Sequence, residues 1–184
     1  IVNIIHVCTA NKALFATHGD DIFGSANKNG VNIGFEASVG GTIPVIKTIK
    51  ESLIANRIES IAAIVNGTSN YILSKMTDEG GSFQDVLKEA QSLGFAEANP
   101  SFDIEGIDAS HKLAILLSLS YGKKVNLNDL HREGISMIGE QDIAFAKELG
   151  YRIKLLAIAI RRGEQIEARL HSTMIPFDHM LANV

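Results

Sequence analysis

Apolar and polar positions along this chain fall into blocks that switch between the period of a strand and the period of a helix. Ile1 to Val7 is an apolar run that meets the turn Cys8-Thr9-Ala10-Asn11-Lys12, the pattern of a buried strand feeding a loop. Ala13, Leu14, Phe15, Ile22, Phe23 and Ala26 predict a helix over 13–28, which Asn29-Gly30 stops. Val31 to Phe35 predicts a second short strand. Strand, helix and strand at this spacing form a βαβ unit with parallel strands. The loop Glu36 to Thr42 carries Gly40-Gly41, and Ile43-Pro44 opens a helix to about Ala55. Proline suits that first turn because its missing N–H costs nothing there. Ile58 to Val65 is apolar on both faces and predicts a covered strand. Asn66-Gly67-Thr68-Ser69 reads as a turn, with Thr68 or Ser69 capping a helix over 70–77.

In the second half, Gly80-Gly81-Ser82 breaks the chain. Phe83, Val86, Leu87 and Ala90 then repeat at helical spacing up to Ser92, and Leu93-Gly94 ends that helix. Residues 95–102 form a polar loop. Asp103 to Tyr121 is the longest helical stretch, and its half from Leu113 is apolar nearly all round, which predicts a central, buried helix. Gln141 to Leu149 is a further short helix. Tyr151–Ile160 and Gln165–Met174 flank Arg162-Gly163 and predict a hairpin of two long strands. These elements together predict an α/β fold, a mixed β-sheet covered by helices, with no internal repeat and no linker-like stretch.

Composition narrows the function. The chain's 184 residues suit one domain, or one domain with a piece of another. Hydrophobic residues at 46% and charged residues at 21% exclude disorder. The net charge of −4 with no basic run argues against a nucleic-acid partner. No apolar run reaches the ~18–20 residues of a membrane span. Cys8 is the only cysteine, so no disulfide forms within the chain, and a reducing, cytoplasmic setting is expected. Neither a basic leader nor a starting Met opens the chain, and the last residues carry no polar tail, so we expect a fragment of a longer protein at both ends.

The chemistry concentrates between Gly94 and Lys112. Glu97 and Asp103 precede the apolar helix, and Asp108 and Lys112 are four residues apart on one face of it. Clustered acids suit a substrate's α-ammonium group, and a partly desolvated lysine suits proton transfer. The same residues would also serve a surface ion pair and an acidic first turn that complements the helix dipole. Lys112 begins the all-apolar half, where a charge is costly unless paired or used. Lys12 follows the first strand, where ligands bind in open α/β sheets, and it equally fits a solvated helix start. The Glu36–Pro44 loop could turn N–H groups to an anion or carbonyls to a hard monovalent cation, or be a plain turn. Asn66–Asn70 is a capping turn or a backbone and hydroxyl contact to substrate. The six histidines have no ligand spacing, which argues against zinc, and no Gly-x-Ser-x-Gly is present. Without a Gly-x-Gly-x-x-Gly, a dinucleotide site is not complete in this chain.

Four motifs occur in order: Thr9-Ala-Asn-Lys12, Phe35-Glu-Ala-Ser-Val-Gly-Gly-Thr-Ile-Pro44, Asn66-Gly-Thr-Ser-Asn-Tyr-Ile-Leu73, and Gly94-Phe-Ala-Glu-Ala-Asn-Pro followed by Asp103, Asp108 and Lys112. As a set they resemble the homoserine dehydrogenase family over essentially the whole chain, and His179 to Val184 resembles its approach to the last catalytic-domain strands. That resemblance implies reduction of aspartate 4-semialdehyde to L-homoserine with NADP(H) or NAD(H), on the route to threonine, methionine and isoleucine. It implies a tail of the Rossmann domain over 1–30 and an incomplete catalytic and dimerisation domain over 31–184. By motif, Lys112 matches the proton donor and Asp108 its partner. Glu97, Asp103, Asp108, Gly67 and Thr68 match substrate contacts, and Lys12, Thr9 and Gly94 match cofactor contacts. Glu36, Val39, Gly41 and Ile43 match a loop that holds a sodium-like cation. A homodimer or higher homo-oligomer is implied. Asn99-Pro100 replaces the family's more usual Asp-Pro, Cys8 a more usual Val, and Gly40-Gly41-Thr42 varies the cation loop. A related amino-acid-aldehyde reductase and a dimerisation module without chemistry are the other readings.

Overall fold

The computed structural model describes Ile5–Lys123 and Val125–Val184. The chain forms two compact units, one drawn from its residues up to Glu59 together with His111–Leu130, the other from Ser60–Ser110 and His131–Val184.

In the first unit, β1 (Val7–Cys8) pairs in parallel with β2 (Ile33–Gly34), in the register Val7 to Ile33 and Cys8 to Gly34. The connection is α1 (Lys12–Lys28), so the expected βαβ order is present. Asn11 caps α1 by accepting the Leu14 N–H, and Gly30, at φ 63°, turns the chain out of it. The helix kinks at His18. Phe15 and Phe23 of this helix pack with Phe35, the Phe15 and Phe35 rings stacked with centroids 4.6 Å apart. β1 is shorter and more exposed than its apolar sequence predicts, and the start of that predicted strand, Ile1–Ile4, lies outside the described residues. Among the described residues this sheet is two strands wide, which leaves Val7 and Cys8 uncovered. The helix expected from Ile43 to Ala55 is instead α2 (Val45–Lys47), which runs on into a π-helical turn over Thr48–Ser52. Pro44 sits at its N-cap.

The second unit is a four-stranded mixed sheet in the order β3-β5-β6-β4. β5 (Tyr151–Arg162) and β6 (Gln165–Pro176) form the long hairpin, longer at both ends than predicted, with Gly163 at φ 62° in a two-residue connection. β3 (Ser60–Ala63) pairs antiparallel with β5 and is an edge strand with alternating exposure, not a strand covered on both faces. Successive side chains of a strand point to opposite faces, and the face that carries Ser60 and Ala62 is open to solvent. β4 (His131–Arg132) adds a short parallel strand beside β6 that no pattern in the sequence announces. The helices α3 (Gly67–Asp78) and α7 (Glu140–Glu148) pack on β5, and α4 (Phe83–Ser92) packs on α3. Ile72, Leu73, Met76, Ala90, Ala157, Ala159 and Leu170 form the buried interior.

Two corrections concern the stretch that carries the candidate chemistry. Asn66, rather than Thr68 or Ser69, caps α3, because its side chain accepts the Ser69 N–H at 2.8 Å. The long helix from Asp103 is broken into α5 (Ser101–Ile104) and α6 (Ile107–Tyr121) by Gly106 at φ 73°. Ser101 and Phe102 are thus helical where a loop was expected. The apolar half of α6 is buried as predicted, with Leu113–Leu117 at 4% exposure or less. Ile107–Ser110 of α6 count with the second unit and the remainder with the first.

Candidate functional site

The polar centre of the second unit is built where α3, α5 and the start of α6 meet. Asn66 is 5% exposed and uses every polar atom of its side chain. Its Nδ2 donates to Asp103 Oδ1 at 2.7 Å and to Asp108 Oδ2 at 2.8 Å, while its Oδ1 accepts from Ser69. Ser69 Oγ donates to the Asp103 carbonyl at 3.1 Å. Two carboxylates that are five residues apart in sequence are thereby joined through one neutral amide. Asp108 is buried and Asp103 half-buried. Burying a carboxylate is costly unless it is hydrogen-bonded, and the amide supplies a hydrogen bond to each.

In the first turn of α3, Thr68 Oγ1 donates to the Phe95 carbonyl at 2.8 Å, and Tyr71 packs on the Phe95 ring at 4.7 Å. These contacts fasten the 94–99 loop to the start of α3. Gly94, at φ 78°, turns the chain out of α4. Gln91 Nε2 reaches the carbonyls of Glu97 and Ala98, so the backbone at Glu97 is held while its side chain is exposed. Gly67 is the first residue of α3 and exposed. Of the residues singled out from sequence, this unit brings together Gly67, Thr68, Gly94, Glu97, Asp103 and Asp108. Lys112 lies one turn beyond Asp108 on α6 and is partly buried. Asn66 was read only as part of a turn. Its signal was its position, directly after a strand and three residues before the amide it caps.

In the first unit, an open cleft of about 610 Å³ lies beyond the carboxyl ends of β1 and β2. Cys8, Thr9, Ile33, Glu36, Lys47 and Lys50 line it. That is where open α/β sheets bind ligands, and the lining carries Lys47 and Lys50 together with Glu36 and Glu51. Thr9 Oγ1 accepts the Asn11 N–H at 3.1 Å, and Lys12 opens α1 half-buried.

The Glu36–Ile43 loop is shaped by two successive glycines with positive φ, Gly40 at 77° and Gly41 at 60°. Glu36 turns both carboxylate oxygens onto the start of α2, accepting from Ile46 and Lys47 at 2.9 Å each. Val39 donates to the Glu36 carbonyl, and Val45 to the Ile43 carbonyl. The Glu36 carboxylate and the carbonyls of Val39, Gly41 and Ile43 are all oxygen, the donor type of a hard cation, but both Glu36 oxygens and the Ile43 carbonyl already accept main-chain hydrogen bonds. No group of three His, Cys, Asp or Glu capable of holding a metal occurs among the described residues, and no helix there is long and apolar enough to cross a membrane.

This is a mixed α/β protein whose polar centre is a paired carboxylate cluster at the junction of helices. The homoserine dehydrogenase family model matches residues 44–184. Homoserine dehydrogenase of Neisseria gonorrhoeae is 54% identical over the whole of this chain, which spans 42% of that protein's length. The crystal structure of a homoserine dehydrogenase from Thiobacillus denitrificans superposes with a TM-score of 0.94 at 55% identity, covering 97% of this chain and 42% of that one. A hyperthermophilic archaeal homoserine dehydrogenase solved in complex with NADPH gives a TM-score of 0.82 at 33% identity, covering 97% of this chain and 51% of that one. The chain belongs to the homoserine dehydrogenase family, and it spans under half the length of the curated relatives it matches.

Proposed function

We propose that this chain supplies the catalytic part of an oxidoreductase that interconverts L-aspartate 4-semialdehyde and L-homoserine, in the biosynthesis of threonine, methionine and isoleucine. The observation that carries the reading is the Asn66-linked pair Asp103 and Asp108, a concentrated negative charge beside a loop bearing Glu97. It suits the α-ammonium group of an amino-acid substrate. Residues 1–30 close the nucleotide-binding domain and 31–184 form the catalytic and dimerisation domain.

Lys112 is the proton donor to the substrate's carbonyl oxygen on reduction, and its ammonium offsets the alkoxide charge that develops there. Asp108 orients it. Glu97, Asp103, Gly67 and Thr68 hold the substrate. Thr9, Lys12 and Gly94 contact the cofactor, NADP(H) or NAD(H), which supplies the hydride when bound. Glu36, Val39, Gly41 and Ile43 hold a sodium-like monovalent cation that fixes the loop. The lone, exposed Cys8 suits a reducing cytoplasm. Exposed Met174, Phe177 and Met180 suit assembly into a dimer or higher homo-oligomer.

The test is homoserine-dependent NADP+ reduction by the full-length enzyme and its Lys112→Ala variant. The expected result is saturable turnover by the wild type and a loss of about 10²–10⁴-fold in kcat in the variant. A near-normal rate in the variant overturns the role given to Lys112.

A further inference from the structure

We propose that Asn29-Gly30 is a site of spontaneous deamidation in the folded protein, and that the hydrogen bonds around Asn66 protect the chain's other Asn-Gly pair, Asn66-Gly67. Asparagine before glycine is prone to this reaction because glycine has no Cβ to hinder its amide nitrogen. The Gly30 nitrogen bonds to Asn29 Cγ, the Cγ–Nδ2 bond breaks, and the amide proton leaves with the NH2 group as ammonia. Water then opens the cyclic imide at either carbonyl and leaves aspartate or isoaspartate. Nothing is oxidised or reduced. The side chain must swing onto the following amide, so the fold decides which of the two pairs can react.

Asn29 is the C-cap of α1 and half-buried, and Gly30 beside it is exposed at φ 63°. A Cβ on Gly30 would meet nothing within 4 Å, so the turn stands in open space. Among the described residues, the Asn29 side chain is tied by Nδ2 to the Ser25 carbonyl at 2.8 Å, within its own helix. The Asn29 and Gly30 amides donate at 3.2 and 3.3 Å to carbonyls of the same last turn. Fraying of that turn releases these bonds together, and helix ends open at small cost. Asn66 is held differently. It is 5% exposed, its Nδ2 donates to Asp103 and Asp108, and its Oδ1 accepts from Ser69. Freeing it takes a donor from two carboxylates and uncaps α3. Gly67 is itself exposed, so the difference lies in the asparagine side chain and not in access to the glycine. Reaction at Asn29 sets a carboxylate at the negative end of the α1 dipole, and isoaspartate lengthens the main chain in the turn toward β2.

For the test, the full-length protein is held at mildly alkaline pH, native and in urea. Both pairs are followed over time by peptide mass spectrometry and by enzymatic methylation of isoaspartate. We expect Asn29 in the native protein to lose ammonia at a rate within about 10-fold of its rate in urea, since only a helix end has to open. Asn66 reacts at least about 10²-fold more slowly in the native protein than in urea, because the reaction tracks the rare opened state. Asn29→Gln, whose longer side chain disfavours the ring closure, removes the native signal. A native protein that keeps Asn29 intact while the chain in urea loses it overturns the assignment of the site. So does a native signal that survives in Asn29→Gln, which would place the reaction at another asparagine. Equal native rates at the two pairs overturn the protection of Asn66.

Discussion

Among single residues, Lys154 is the least expected. It lies on β5, is 1% exposed, and donates to Asn70 Oδ1 at 2.8 Å, Ser74 Oγ at 2.7 Å and the Val184 main-chain oxygen at 2.7 Å. All three hydrogens of the ammonium are thus used, which is how a buried lysine is tolerated. Burial pushes its pKa below the ordinary lysine value, Arg152 pushes the same way, and Asp78 opposes them. Lys154→Met leaves three acceptors without their donor and is expected to lower stability by about 1–3 kcal/mol, measured by urea unfolding at pH 7. The sign with pH follows from linkage. The folded state binds fewer protons at this site than the unfolded chain, so wild-type stability gains on the variant as pH rises toward the lysine's ordinary 10.5. Unfolding curves at pH 7 and pH 10 check this, and a gap that narrows with pH refutes it. Asp78 is the acidic counterpart. Its hydrogen bond to Arg152, 2.7 Å long, holds its carboxyl below the ordinary range.

At the scale of elements, the break between α5 and α6 decides where the acids stand. An unbroken helix from Asp103 would turn Asp103 and Asp108 about 500° apart, on different faces. The turn at Gly106 lets one amide reach both. It requires glycine twice over: φ is 73°, and a Cβ there would lie 2.7 Å from Leu170 Cδ2 and 3.0 Å from the Glu133 carbonyl. Gly134 closes the same contact from the other side, where a Cβ would meet the Ile104 carbonyl at 2.5 Å. The Ile135 N–H donates to that carbonyl at 2.7 Å. Gly106→Ala is therefore expected to cost about 2–4 kcal/mol, the left-handed penalty together with overpacking. Chemical denaturation measures the cost, and a loss under 0.5 kcal/mol would show that the loop adapts freely.

For the molecule as a whole, stability should be unevenly spread. β5 has a strand on either side, 12 residues in register with β6, and α3 and α7 packed on it. β1 and β2 are two residues each and mostly exposed. Native-state hydrogen exchange should therefore be slowest at Ile153–Ala159 and orders of magnitude faster at Val7 and Thr9, whose amides bond only to Asn32 and Gly34. Equal protection in the two places would contradict this ordering.

Most of the elements could be read from the chain, because they follow from neighbours in sequence. The apolar spacing of Phe83, Val86, Leu87 and Ala90 gives α4 to the residue, and the two long runs that flank Arg162-Gly163 give the hairpin. The candidate carboxylates and Lys112 were legible too, since polar residues leading into an apolar helix are conspicuous by type. Contacts over long separations were not legible. Pairing of His131 with Arg169, the approach of Gly106 to Leu170, and the bonds from Asn66 to acids 37 and 42 residues away have no local pattern. Burial of Lys154 ran against its residue type. Sequence determined which segments fold and which side chains carry charge, because propensity and periodicity act within a few residues. Tertiary structure alone decided which polar atoms meet, because a hydrogen bond depends on tenths of an ångström that only the packed elements fix.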